Sequence, residues 1–294
     1  MIATFVIFLR EGIEASMIVA ILLAYLDRIG QRRHFRDVLL GVAAALALAG
    51  GGGVAAYLTI HAYAGSRVQT IFETCTFAVA AVLLTYMTFW MRSHSRTISR
   101  DLRARTDAVL GRGERLGLAL LAFQAVGREG VETAVFTLAI VFATGTHGTL
   151  AGGLAGLAGA LAIAFVIYRL GRRLDLGKFF TVIGALLMVF AAGLVADTVE
   201  NLQQLGWLRL LDHPMWNSGH VLAEGSAFGD VVHSLFGYAQ QPTPLQLVAY
   251  VVYLAATLAA FLRAGRPHRG EPRRATGRAR STSEHAAGDT ALTA

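Results

Sequence analysis

Cysteine and lysine are almost absent from this chain. Cys75 is the only cysteine among 294 residues, and Lys178 is the only lysine. A single cysteine excludes an intrachain disulfide and a cluster of thiolate metal ligands. A seven-helix retinal receptor needs a lysine within its last helix, whereas Lys178 lies before the last apolar run. No glycine-rich loop ends in the lysine that would bind the phosphates of ATP. Since no His-Glu-x-x-His zinc motif occurs either, we expect no enzyme activity.

Charged residues are also scarce, at 15% of the chain, whereas hydrophobic residues make up 55%. This composition is typical of a membrane protein. A helix needs about 20 residues to cross a bilayer. Seven apolar runs have approximately this length: 2–26, 38–60, 68–91, 116–143, 149–168, 179–199 and 245–262. We therefore predict an all-α integral membrane protein with seven transmembrane helices.

Arginine is distributed unevenly between these runs. It is concentrated in segments 28–36, 92–115 and 169–178, while the alternating segments contain little beyond Arg67 and Arg209. Because basic loops stay in the cytoplasm, the N-terminus is predicted to lie outside and the C-terminus inside. The predicted location is the inner (plasma) membrane. The net charge of +7 is then a topology signal rather than an indication of nucleic-acid binding.

Two nearly identical charged pentapeptides interrupt the first and fourth runs. Residues 10–14 read Arg-Glu-Gly-Ile-Glu, and residues 128–132 read Arg-Glu-Gly-Val-Glu. A charge at the centre of a bilayer costs roughly 2.5–3.5 kcal/mol. At about 100° per residue the three charges of each motif project from one side of a helix, and the arginine can pair with the glutamate four residues later. Facing each other, the motifs would form a net-negative cation site from Glu11, Glu14, Glu129 and Glu132, with Arg10 and Arg128.

The pentapeptides also divide the chain into two repeats. They are 118 residues apart, and each opens a set of three apolar runs. Because three is odd, the second set enters the membrane in the opposite direction, as in transporters built from inverted repeats around a central site. The predicted permease domain, 1–262, comprises repeat one at 1–91, repeat two at 116–200, an outer loop at 201–244 and a last helix at 245–262. Residues 263–294 are predicted to be a basic, disordered cytoplasmic tail near anionic lipid.

Further acids lie near the predicted outer face. Glu73 is near the outer start of the third run, and Asp197 and Glu200 end the sixth run. Because an acidic mouth raises the local concentration of cations, we predict that these three form an outer capture site. Structural or interfacial roles remain alternatives. The outer histidines either are solvated or capture a transition metal transiently: they are His61, His147, His213, His220 and His233.

The paired motifs resemble those of the ferric-iron permease family, which includes the oxidase-dependent iron permeases of fungi and bacterial iron/lead transporters. The similarity continues through Phe72-Glu73, through the Thr-Tyr-Met-Thr-Phe-Trp-Met segment at 85–91, and through 191–206 at the end of the sixth run. It covers residues 1–262. A single pentapeptide would be weak support, but two in the expected runs make the resemblance specific.

The resemblance implies a set of metal ligands and site-shaping residues. It implies that iron is coordinated during passage by Glu11, Glu14, Glu129 and Glu132, in a site shaped by Arg10 and Arg128. An Asp-x-x-Glu element of the family corresponds to Asp197 and Glu200. The residues themselves support the same chemistry, because hard cations prefer carboxylate oxygen and Fe³⁺ is harder than Fe²⁺.

The expected function is that of a high-affinity permease moving Fe³⁺, or Fe²⁺ after oxidation by a partner, into the cytoplasm, with no permanently bound cofactor. No large domain precedes the first run, so iron would come from a separate periplasmic iron-binding protein, a peroxidase-like protein or a copper oxidase. A gradient-driven transporter of another metal cation, such as lead or manganese, would use the same carboxylates. This alternative stays open.

Overall fold

A computed structural model of the protein describes residues 1–94, 98–111, 115–146, 148–170, 176–220, 222–223 and 226–264. The predicted tail beyond residue 264 and His147 lie outside this part of the chain. The described residues contain α-helices and one turn of 3₁₀ helix at Arg32–His34, and no strand. The helices are α1 (Ile2–Arg28), α2 (Phe35–His61), α3 (Arg67–His94), α4 (Ile98–Gly111), α5 (Arg115–Thr144), α6 (Thr149–Leu170), α7 (Leu176–Gln204), α8 (Ala227–Phe236) and α9 (Pro244–Ala264).

Each of the seven predicted runs coincides with one long helix. Five of these, α2, α3, α6, α7 and α9, are long and apolar enough to cross a membrane. Helices α1 and α5 are equally long, but each carries a charged pentapeptide near its middle. The all-α membrane class is therefore confirmed, whereas a membrane crossing by α1 and α5 stays a prediction.

Two helices were not predicted from the sequence. Helix α4 lies between the third and fourth runs and is rich in arginine, so a search for apolar runs passes over it. Helix α8 lies within the segment expected to be an outer loop and is only 10 residues long. The side chain of Ser226 caps its start by accepting from the backbone N–H of Gly229, and Gly237 ends it at φ 64°, where glycine is favoured.

The long helices pair in a pattern that relates the two repeats. Helix α1 packs along α6, α5 packs along α2, α3 packs along α7, and α1 also contacts α5. If α1, α2 and α3 correspond to α5, α6 and α7, the pair α1–α6 is equivalent to the pair α5–α2. The pairs α3–α7 and α1–α5 each join two equivalent helices. The main helix pairs thus follow a two-fold repeat, which the sequence shows clearly only at the pentapeptides; the contact of α3 with α5 has no equivalent of similar extent between α7 and α1. Helix α9 packs outside this arrangement, against α7.

The glycine of each pentapeptide allows these equivalent pairs to approach closely. A Cβ built on Gly12 lies 2.7 Å from the Cβ of Ala160 in α6, and a Cβ built on Gly130 lies 2.8 Å from the Cβ of Ala49 in α2. Helix interfaces in membranes use small residues in this way. Each glycine therefore helps to set the depth and rotation of the charged residues beside it.

Gly12→Ala and Gly130→Ala are expected to lower the free energy of unfolding by about 1–3 kcal/mol, because the added methyl overpacks a tight helix contact. Gly51→Ala in α2 is the matched control, since a Cβ there meets nothing within 4 Å and gains the same helix propensity. Thermal unfolding of the purified protein measures both. Equal unfolding temperatures for Gly12→Ala and Gly51→Ala would contradict the close contact.

The two ends of the bundle differ in chemistry. We call the end at which α1 begins the upper end and the end at which α1 finishes the lower end. At the lower end, apolar side chains fasten α4 against α1, α2 and α5: they include Leu22, Leu26, Val38, Leu102, Leu118 and Leu121. Exposed arginines collect there as well: they include Arg28, Arg33, Arg36, Arg100, Arg103 and Arg105. At the upper end, α8 packs against α7, α5 and α1, and its Leu235 joins the main apolar core.

Candidate cation site

The pentapeptides meet where α1 and α5 pack in the centre of the bundle. Carboxylate oxygens of Glu11, Glu14 and Glu129 all lie within 4.8 Å of one another. Among the described residues this is the one group of three acids, histidines or cysteines that is close enough to hold a metal ion. Residues 118 apart in the chain are thus brought together at the middle of two long helices.

Each arginine pairs with the glutamate four residues later, as the helical spacing predicts. Arg10 Nε lies 3.1 Å from Glu14 Oε1, and Arg128 Nε lies 3.0 Å from Glu132 Oε1. Arg10 also donates from Nη1 to Glu11 Oε1 at 2.9 Å. The two repeats therefore contain equivalent ion pairs, and Arg10 has one additional carboxylate partner.

The site is almost completely buried, apart from Arg128. Arg10 is 2% exposed, Glu11 3%, Glu14 4%, and Glu129 and Glu132 are each 6% exposed. Four carboxylates and two guanidinium groups give a formal charge of −2. Charges in a medium of low dielectric constant are costly unless they are compensated. The arrangement is thus short of positive charge where water cannot supply screening.

One oxygen of each glutamate is buried and accepts no hydrogen bond from a described residue. These atoms are Glu11 Oε2, Glu14 Oε1, Glu129 Oε2 and Glu132 Oε2. Glu14 Oε1 differs from the other three because it lies 3.1 Å from Arg10 Nε in an ion pair. Buried polar atoms normally have a partner, so three carboxylate oxygens without one in the same place need a common reason. A cation with oxygen ligands satisfies both the charge and the unpaired oxygens.

The two arginines have different surroundings. The side chain of Arg10 is buried, whereas that of Arg128 is 39% exposed. Arg128 Nη2 donates to the sulfur of Met87, and its guanidinium carbon lies 4.7 Å from the centre of the Trp90 ring. Sequence reasoning assigned neither Met87 nor Trp90 to the site. The available signal was the 85–91 segment of the family resemblance, which contains both.

The predicted outer acids lie at the upper ends of α3 and α7. Glu73 is half-buried, and its Oε1 accepts from Gln69 at 2.7 Å. Glu200 accepts from Gln204 at 3.2 Å and from the buried Gln246 of α9 at 3.0 Å. Asp197 is buried. Within the described ranges these three acids do not form a second group as tight as the central one.

The described outer histidines do not converge on a metal site either. His61 stacks on Tyr57, His213 lies 3.7 Å from Asp212, and the ring of His233 contacts the backbone oxygen of Tyr238. His220 is exposed. These contacts occur in separate parts of the upper end, so the structure offers no support for metal capture by the described histidines.

Comparison with known proteins gives one consistent result. The model of the iron permease FTR1 family matches residues 1–265. The ferrous iron permease EfeU of Escherichia coli O6:K15:H31 is 34% identical over 264 residues, which cover 89% of this chain and 95% of that protein. EfeU of Yersinia pestis is 32% identical over 263 residues, with 89% and 93% coverage. No solved structure matches the chain. With its apolar helices and these permease relatives, the chain is a membrane protein of the iron permease FTR1 family.

Proposed function

We propose that this protein carries iron across the membrane through a central site formed by Glu11, Glu14, Glu129 and Glu132. The observation that carries the proposal is the meeting of carboxylates from two repeats in an almost completely buried position, with carboxylate oxygens of three residues within 4.8 Å of one another. Iron is a hard cation, and carboxylate oxygen is the ligand type that it prefers. The family and the names of the relatives support the choice of iron.

The arginines keep the site stable between passages. Arg10 holds Glu11 and Glu14, and Arg128 holds Glu132. An arriving cation competes with these guanidinium groups for the same oxygens, so the ion pairs lower the affinity of the site and favour release. A permeation site must bind strongly enough for the ion to come in and weakly enough for it to leave.

The oxidation state follows from the same chemistry. The relatives are named ferrous iron permeases, and four glutamates favour the harder Fe³⁺. The two statements agree if Fe²⁺ is the form supplied and a partner oxidises it at the outer face. A copper oxidase or a peroxidase-like protein would carry out the oxidation, with O₂ or peroxide accepting the electron, and a periplasmic iron-binding protein would deliver the iron. The lower, arginine-rich end then faces the cytoplasm, and the membrane potential draws each positive charge inward by about 2.3 kcal/mol per 100 mV.

The test is uptake into proteoliposomes that contain the purified protein, with an inside-negative potential. Iron is offered as Fe²⁺ under reducing conditions, as Fe²⁺ with an added oxidant, and as chelated Fe³⁺, beside manganese and lead. The proposal expects iron to be preferred and uptake from Fe²⁺ to rise with the oxidant. If manganese or lead is taken up and iron is not, the proposed substrate is wrong. If iron uptake from Fe²⁺ is the same with and without the oxidant, oxidation is not part of transport.

The outer acids provide a separable prediction. Neutralising both Asp197 and Glu200 (Asp197→Asn with Glu200→Gln) is expected to raise the half-saturating iron concentration, with a smaller effect on maximal uptake than Glu14→Gln has. The reason is that acids at the upper end concentrate cations before they reach the central site. Asp212→Asn is the control, since that acid is exposed in the outer segment that follows α7. If the half-saturating iron concentration of the double variant is unchanged, Asp197 and Glu200 have a structural role and do not capture iron.

A further inference from the structure

A groove runs along the lower half of α1. It has a volume of about 340 Å³ and extends from Ser16 to Arg28, with Ala164 of α6 and Arg103 of α4 also in its lining. Twelve residues of α-helix rise about 18 Å. Half of a hydrocarbon core that is roughly 30 Å thick measures about 15 Å. The groove is therefore about as long as one leaflet of a bilayer is deep.

The wall of the groove is apolar for most of its length. Ala20 and Ala24 are exposed on α1, and the larger side chains of Met17 and Ile21 lie beside them. Two alanines one turn apart leave a channel beside these larger side chains. A channel of this shape and polarity accommodates an extended hydrocarbon chain.

The lower end of the groove has the opposite chemistry. Arg28 and Arg103 are exposed there, and neither forms an ion pair or a side-chain hydrogen bond with a described residue. Asp107 of α4 is engaged by the hydroxyl of Tyr25, which donates to its carboxylate. Two unpaired guanidinium groups are strong donors to a phosphate. The groove thus joins an apolar channel to an anion-binding end.

We propose that the groove binds one anionic phospholipid of the leaflet at the lower end, with its phosphate between Arg28 and Arg103 and an acyl chain along Ala20 and Ala24. Basic pockets between transmembrane helices bind anionic headgroups in this manner. The bound lipid connects α4 to α1, because each helix contributes one of the two arginines. The proposal depends on a membrane location and not on the identity of the transported metal.

A passage for the cation is the competing interpretation. Met17, Ile21 and Arg28 continue the face of α1 that carries Arg10 and Glu14, at spacings of three, four and seven residues. A passage below the central site would therefore run along this groove. Two unpaired arginines at its end oppose the approach of a cation, whereas they attract a phosphate. The charge favours the lipid.

The test compares the purified full-length protein in nanodiscs of phosphatidylglycerol and of phosphatidylcholine. The parent is expected to unfold at a higher temperature in phosphatidylglycerol and to retain one such lipid in native mass spectrometry. Changing Arg28→Gln and Arg103→Gln together should remove both effects. The matched control changes Arg36→Gln and Arg105→Gln, two exposed arginines of the lower end outside the groove, and should keep both. The difference between the two lipids is the readout, so a general loss of stability does not imitate the result.

Ala24→Leu tests the apolar half of the groove independently of charge. It fills the channel and is expected to abolish the retained lipid while both arginines remain. If the Arg36/Arg105 control also loses the phosphatidylglycerol effect, the lipid is attracted by the basic surface in general and not by the groove. That result would overturn the proposal. Retention of the lipid by Ala24→Leu would overturn it too. Equal protection by both lipids, with iron uptake blocked in Ala24→Leu, would identify the groove as the cation passage instead.

Discussion

Iron uptake is expected to be lost in Glu14→Gln, although the protein still inserts and folds. Glutamine keeps the shape of the side chain but removes the charge that offsets dehydration of the metal. The Glu14 side chain is 4% exposed, and a carboxylate oxygen lies within 4.8 Å of those of Glu11 and Glu129. Removing one member of a buried charged set costs roughly 2–5 kcal/mol, so uptake should fall at least about 30-fold. The initial rate in proteoliposomes, normalised to protein content, measures this.

Two further variants sharpen this result. Glu132→Gln alters the equivalent position of the second repeat and should cause a comparable loss. Asp101→Asn removes an exposed carboxylate on α4 and should transport at the parental rate. Gel filtration in detergent checks that each variant is folded. If Glu14→Gln and Glu132→Gln both match the parent, the paired pentapeptides do not form the permeation site.

A large loss of stability is expected in Arg10→Ala and a smaller one in Arg128→Ala. Arg10 is buried and compensates both Glu11 and Glu14, so its removal leaves two buried carboxylates without a counter-charge. Breaking a buried ion pair by removing one partner costs about 3–5 kcal/mol. The side chain of Arg128 is 39% exposed and forms one ion pair, to the buried Glu132. Its removal leaves one buried carboxylate without a counter-charge instead of two, and water can reach the position that the guanidinium group leaves, so the loss of stability should be smaller. The unfolding temperatures of the two purified variants, each compared with that of the parent, measure this difference.

Arg10→Lys separates charge from geometry. An ammonium group keeps the positive charge, but it cannot hold two carboxylates in the fixed fork of a guanidinium group. We expect Arg10→Lys to recover part of the stability that Arg10→Ala loses, while iron uptake stays well below the parental rate. Full uptake by Arg10→Lys would show that Arg10 is only a counter-charge. Equal destabilisation in Arg10→Ala and Arg128→Ala would contradict the difference in burial between the two arginines.

The limits of sequence reasoning are clearest outside the apolar runs. Helix α4 is short and arginine-rich, and a search for bilayer-length apolar segments cannot detect such a helix. Helix α8 is short, and its start depends on a cap at Ser226 and its end on Gly237. Such local signals are frequent in loops, so they do not distinguish a short helix within the predicted outer loop at 201–244. The packing of α8 against α1, α5 and α7 determines its position.

The sequence by itself determined the all-helical membrane class, the residues of the charged motifs and the pairing of each arginine with the glutamate four residues later. These properties depend on composition and on the 3.6-residue period, which are local. The tertiary structure alone decided that Glu129 joins Glu11 and Glu14 in the tightest group, and that Arg10 is buried while Arg128 rests on Met87 and Trp90. Those outcomes depend on the rotation and depth at which α1, α3 and α5 pack. Close helix contacts such as those at Gly12 and Gly130 set that packing, and no single helix encodes it.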